Sequence, residues 1–218
     1  MTRVAWRPKS LQRRRWNVKL LNFEFKARLT NEPRVREALK RLNARFIGTD
    51  HQIDTYFRVP SGRLKVREGR LENALIFYRR SNIRRARKSA VEMMLLPRRN
   101  SFRAILERAL GKLAVVDKRR EIYFVKNVKI HLDRVRQLGN FLEVEAISRT
   151  GDAKKIRSQA RQVQELFGIT TKDIVAESYS DLVLAKNLKS GTWFAALPDC
   201  VPGVRDRAER DRVRESRV

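Results

Sequence analysis

The 218-residue sequence contains one cysteine, Cys200, and two histidines, His51 and His131. A single cysteine excludes an internal disulfide framework and any cysteine-based zinc site. Two histidines exclude a histidine-rich metal centre. A bound metal would therefore rest on oxygen ligands, which points to Mg²⁺, Mn²⁺ or Ca²⁺. No apolar run approaches membrane-spanning length, and the opening residues lack the apolar core of a signal peptide. Those first 19 residues also contain no acid. An Arg-rich, acid-free start is one mark of an organelle transit peptide, but this one is poor in serine. A soluble cytoplasmic chain is the expectation, with an organelle matrix as the alternative.

Positive charge is what the sequence has in excess: 51 Lys and Arg against 24 Asp and Glu, a net +27. Residues 1–19 carry seven basic groups, and residues 186–218 carry eight basic and five acidic ones. Taking +7 and +3 from +27 leaves +17 for residues 20–185, so the excess belongs to the folded body. Such a balance implies anionic partners: nucleic acid, polyphosphate, nucleotides or an acidic membrane surface. The chain reads as a basic extension over 1–17, a folded domain over 18–186 and a charged tail over 187–218.

Within the body, short alternating segments dominate. Strands are expected over 18–29, 51–59, 63–68, 73–80, 88–96, 112–126, 128–133 and 141–147. Helices are expected over 32–45, with Val35, Leu39, Leu42 and Phe46 as the apolar stripe, then from Ser101 to Gly111, from Asp152 to Phe167 and over 178–184. Most strands are joined by short turns, so the sheet is mainly antiparallel. Eight such strands could form an open sheet, a sandwich or a barrel.

Charged residues spaced two apart, hence on one strand face, recur along the chain: Glu24/Lys26, Lys65/Arg67, Lys118/Arg120, His131/Asp133 and Glu143/Glu145. Any one pair suits the solvated face of a sheet. The set does not, because acids gather on the first strand and the last two while basic pairs gather between them, where like charges would repel across strands. That sorting makes sense if the polar faces converge on a polyanion, with the carboxylates holding a divalent cation that also binds the anion. A triphosphate with Mg²⁺ or Mn²⁺ is the natural guest. Ile122 and Phe124 continue the Lys118/Arg120 face, so a bulge or a change of environment is expected there.

The stretches NFEFKARL, QIDTYFRVPSGRLKVRE, LIFYRR, KRREIYFV, VKIHLDRVRQLGNFLEVEA and SYSDLVL, spread over roughly residues 20–185, resemble the CYTH domain. That family includes class IV adenylate cyclases and thiamine triphosphatases within the triphosphate tunnel metalloenzymes. The resemblance implies an α+β fold: an eight-stranded antiparallel β-barrel enclosing a polar tunnel, with helices packed outside. It implies Glu24 and Lys26 as catalytic residues of the family's E-x-E-x-K strand, whose first Glu is replaced here by Asn22. It places phosphate binders at Lys26, Lys65, Arg67, Arg80 (rather than Arg79), Lys118 and Arg120, and metal ligands at Glu24, Asp133, Glu143 and Glu145. Asp54 and Tyr56 match the motif with a structural role equally open. His131 is expected to be packed or solvent-facing, and Phe23, Phe25, Phe57, Tyr123 and Phe141 to lie under the outer helices.

Two chemistries follow from such a site. Attack by a ribose 3′-hydroxyl on the α-phosphorus of ATP gives cyclic AMP and pyrophosphate. Attack by water on a terminal phosphorus makes a triphosphatase acting on ATP, tripolyphosphate or thiamine triphosphate. The alternative from another class is a non-enzymatic binder of RNA or another polyanion on the outer surface. Oligomeric state is left open, a dimer being one option.

Overall fold

The computed structural model describes residues 17–189, and nearly all of the expected extension over 1–17 and tail over 187–218, Cys200 included, lies outside them. The described elements are β1 (Asn17–Arg28), α1 (Glu32–Arg41), β2 (Arg45–Phe57), β3 (Arg63–Gly69), β4 (Ala74–Arg79), β5 (Arg87–Leu95), α2 (Phe102–Leu110), β6 (Lys112–Val125), β7 (Val128–Val135), β8 (Gly139–Ser148), α3 (Ala153–Leu166) and α4 (Tyr179–Lys189). The chain divides into two compact units, Met1–Val183 and Leu184–Val218. The barrel belongs to the first, and the described part of the second is the last turns of α4.

The strands close in the order β1-β5-β4-β3-β2-β6-β7-β8, each antiparallel to its neighbours, with β8 returning to β1. Closure follows from the alternation in the sequence. Phe23, Phe25 and Ala27 of β1, Val128, Ile130 and Leu132 of β7, and Leu142, Val144 and Ala146 of β8 all point outward into one buried cluster. Val35, Ala38 and Leu39 of α1 and Ile156, Ala160 and Val163 of α3 complete that cluster. A second cluster, Phe57, Val66 and Leu96, is covered by Leu106 and Leu110 of α2. The usual arrangement is therefore inverted. The apolar core lies between barrel wall and helices, and the polar strand faces, with nowhere else to go, line the interior.

Helix ends obey their local chemistry. Asn31 accepts a hydrogen bond from the Arg34 amide and Asp152 from the Lys155 amide, each capping its helix. Ser101 occupies the start of α2 but makes no side-chain cap; Asn100 accepts from the Phe102 amide instead. The helix expected to run to 45 stops at Arg41, because Asn43 takes up a positive φ of 48° that turns the chain into β2. Phe46 consequently belongs to β2 and is exposed rather than part of a helical stripe. Helix α4 runs five residues past its expected end at 184. Beside Ile122 and Phe124 the irregularity lies across from β6, in β2 between Phe46 and Gly48, while a second shift at the start of β6 leaves Leu113 unpaired between Lys112 and Ala114; Ile122 continues into the interior, buried, opposite His131.

Candidate active site

Each sequence-predicted site residue lies on the inner face of the barrel. Glu24 and Lys26 come from β1, Lys65 and Arg67 from β3, Lys118 and Arg120 from β6, Asp133 from β7, and Glu143 and Glu145 from β8. Arg80, just past β4, turns inward to Glu24 at 2.6 Å, while Arg79 stays exposed and reaches Ser61. Asn22 is buried, cross-strand from Ile147 and Ser89, and its Oδ1 has no hydrogen-bond partner among the described residues.

These groups sort into three ion clusters. Asp54, fully enclosed, is held by Lys65 at 2.8 Å, by Arg67 through two oxygens at 2.8 and 2.9 Å, and by Lys118 at 2.5 Å. Burial alone would raise its carboxyl, but Arg67, Lys118 and Lys65 hold it well below the usual range. Lys118 moves the opposite way. Despite the Asp54 ion pair, burial and the neighbouring Arg67, Arg120 and Lys65 push it down to about 7.

In the second cluster Arg120 donates twice to Asp133, at 2.6 and 2.5 Å, and once to Glu143 at 2.5 Å, while Tyr179 Oη donates to Asp133 at 2.7 Å. Lys26 lies 3.3 Å from Glu143 and 3.7 Å from the centre of the Tyr179 ring, and burial lowers it to about 8. Phe141 meets Tyr179 edge to face here. It therefore faces inward with Glu143, unlike Phe23, Phe25, Phe57 and Tyr123, because it shares the parity of Glu143 and Glu145 along β8.

The third cluster pairs Glu24 with Arg80, with Arg87 at 4.0 Å. Arg87 donates from Nη1 to the Ile83 carbonyl, but its Nε and Nη2 have no hydrogen-bond partner among the described residues, nor does Arg80 Nε. Burial and the Arg80 charge lower Arg87 to about 10. Unpaired guanidinium donors inside a closed barrel call for an anion.

Arg87, Glu72, Asp50 and Tyr179 are among the interior residues that escaped sequence reasoning. Arg87 begins β5 in phase with Ser89, a parity hidden by the expectation that the strand starts at 88. Glu72 joins Arg67 (2.9 Å), Lys129 and Gln52 (3.1 Å) from the β3–β4 loop, where no period exists to reveal it. Asp50 accepts from the Arg70 and Glu72 amides at 2.8 and 3.1 Å, fixing that loop. Tyr179 was legible only as part of a closing helix.

A divalent cation fits one region of this wall. Glu145 is cross-strand from Glu24, and burial together with Glu24 and Glu143 raises its carboxyl, a like-charge crowding that a cation relieves. His131, buried beside it, has two ring nitrogens with no hydrogen-bond partner among the described residues. Asp133 is occupied differently, its two oxygens taken by Arg120 and Tyr179. Since nearly every other interior acid meets an interior cation, the +17 of residues 20–185 sits largely on the outer surface.

Comparison with known proteins follows the same lines. A family model, the CYTH domain, matches residues 20–179. The chain is 25% identical over 173 residues to a Methanocaldococcus jannaschii protein named "Putative adenylate cyclase", spanning 75% of this chain and 98% of the relative. A solved Pyrococcus horikoshii structure superposes with a TM-score of 0.61 at 25% identity, covering 74% of this chain and 99% of that one. A conserved hypothetical protein from Pyrococcus furiosus shares the fold, with a TM-score of 0.62 at 22% identity, 74% of this chain and 99% of that one being covered.

Proposed function

The chain belongs to the CYTH domain family, and from that premise we propose that it is a divalent-metal-dependent enzyme acting on a triphosphate inside its barrel. The observation that carries this reading is the set of buried, unpaired guanidinium donors of Arg80 and Arg87 beside a carboxylate wall. The interior acids hold the remaining cations in place.

In the proposed reaction, Arg80 and Arg87 leave Glu24 for phosphate oxygens, and Lys65, Arg67, Lys118 and Arg120 line the rest of the phosphate chain. Arginine offers a planar two-pronged donor, lysine a point charge. Glu143 and Glu145, with Glu24 across the strand boundary, would hold Mg²⁺ or Mn²⁺. Asp133 keeps Arg120 aimed at the phosphates and joins the metal only if Arg120 moves away. When bound, such a cation withdraws charge from the reacting phosphorus and steadies the leaving oxygens. Lys26, at about 8, is still largely protonated at neutral pH and neutralises charge developing on the transferred group. Glu24, released from Arg80, takes the proton of the attacking hydroxyl or water.

The name carried by the Methanocaldococcus relative favours the cyclase outcome, cyclic AMP and pyrophosphate from ATP; hydrolysis of ATP, tripolyphosphate or thiamine triphosphate is the second outcome the same wall permits. Incubation with each of the three, with and without Mn²⁺, decides. Metal-dependent release of cyclic AMP, pyrophosphate or phosphate is expected, and no product from any of them overturns the proposal. The basic outer surface is a separate contact for RNA or another polyanion. Such binding would fade with salt and survive Glu24→Ala, whereas turnover would be lost in that variant.

A further inference from the structure

β7 contributes one interior side chain that the reading above leaves without a role. His131 is completely enclosed, and neither Nδ1 nor Nε2 has a hydrogen-bond partner among the described residues. A buried polar group without a partner is uncommon and costly. On one flank its cross-strand neighbour is Ile122, which has nothing to offer a ring nitrogen. On the other flank Nδ1 stands 4.0 Å from Glu143 Oε2 and 3.9 Å from Glu145 Oε1. Those separations are too long for hydrogen bonds. One ligand atom from each of the three residues lies within 4.8 Å of the others. Atoms sharing an octahedral ion at about 2.1 Å stand about 3.0 Å apart when adjacent and about 4.2 Å apart when opposite. Both Nδ1 separations match the opposite spacing, which only one carboxylate can keep, so closing the shell requires the other to swing in by about 1 Å, within the reach of a glutamate side chain.

We propose that His131, Glu143 and Glu145 form a mixed nitrogen–oxygen site that selects Mn²⁺, or a similar first-row transition cation, over Mg²⁺. The inference rests on the metal-dependent reading of the barrel and adds a ligand and a preference to it. Mg²⁺ is hard and holds to oxygen and water, whereas imidazole is a borderline donor that suits transition ions. Asp133 stays with Arg120 and Tyr179, and Glu24 can approach the ion only once it leaves Arg80. Glu143 meets Lys26 at 3.3 Å and Arg120 at 2.5 Å, so it exchanges one of these contacts for the ion. Placing the donor on β7 also explains why a polar ring is tolerated opposite Ile122: its one useful contact is on the carboxylate side.

The test is calorimetric titration of the full chain, without substrate, with MnCl₂ and with MgCl₂, alongside electron spin-echo spectroscopy of the Mn²⁺ complex. Mn²⁺ should bind at least about tenfold more tightly than Mg²⁺ and show nitrogen-14 modulation. In His131→Leu the Mn²⁺ affinity should fall about 10- to 100-fold, Mg²⁺ affinity should hardly change and the modulation should vanish. Binding of both ions with similar affinity and no nitrogen coupling in the unmodified chain would overturn the mixed site while leaving an all-oxygen metal site intact. Absence of any cation binding, with or without tripolyphosphate, would instead overturn the metal-dependent reading on which it stands. The spectroscopy on the unmodified chain decides even if the variant fails to fold.

Discussion

Glu24 and Arg80 meet at 2.6 Å although β5 lies between their strands. On the proposed reading the carboxylate holds the place where a phosphate oxygen would meet the guanidinium and would be released when a polyanion binds. Glu24→Gln removes that competitor and a metal-side charge together. Turnover with metal is expected to drop about 100-fold or more, while tripolyphosphate binding without metal holds or tightens. Steady-state kinetics beside metal-free calorimetry would show it, and parallel losses in both would refute this role for Glu24.

Arg87 lies beside that pair with two donors unpaired. A buried cation lacking a full partner is a liability to the free fold. Arg87→Met should keep or raise the melting temperature and weaken tripolyphosphate binding about 10- to 100-fold, the worth of a hydrogen bond to a charged group. A stability loss with unchanged affinity would make Arg87 structural only.

Asp54 balances three enclosed cations. Asp54→Ala leaves them facing one another, an expected loss of about 3–5 kcal/mol in denaturant unfolding. Tripolyphosphate should restore much more stability to this variant than to the unmodified chain, since it replaces the missing negative charge. Equal stabilisation of both would place the anion elsewhere.

Lys118 at about 7 and Lys26 at about 8 give binding a pH signature. Both lie below the ordinary lysine value, so from about pH 7 to about 10.5 the unfolded chain holds protons that the folded one has shed. For these two groups stability rises with pH across that window. A bound triphosphate favours the charged form and takes the protons back. Calorimetry in buffers of differing ionisation enthalpy should detect uptake of about one proton or more near pH 8.3 and nearly none at pH 6. Equal uptake at both would disprove the assignment.

The inward and outward faces of the strands were legible because they are written in opposite chemistry, whereas their closure into a barrel was implied only by the resemblance to the CYTH domain. Phe23 and Phe25 against Glu24 and Lys26, or Val144 against Glu143 and Glu145, leave no ambiguity of parity. The helix–strand boundary at Asn43 was not legible, because Leu42 and Phe46 prolong a helical period that one left-handed residue ends. Within the interior, position could be inferred but partnership could not. Asp133 and Glu143 read alike in sequence, yet one is enclosed by Arg120 and Tyr179 while the other is shared between Lys26 and Arg120. Which carboxylate is spoken for depends on residues far away along the chain, and Glu72, from an aperiodic loop, gave no signal at all.

The pairing of β1 with β8 has a consequence for how the molecule assembles. First and last strands must find each other across more than a hundred residues, so this seam carries the largest loop-closure entropy in the barrel. Two carboxylates, Glu24 and Glu145, face each other at that junction and push it apart. A cation bound there would act as a clasp. The amides of β1 and β8 should be the first to exchange in metal-free protein and the ones most slowed when Mn²⁺ is added, which would tie the integrity of the fold to the ion proposed to serve its chemistry.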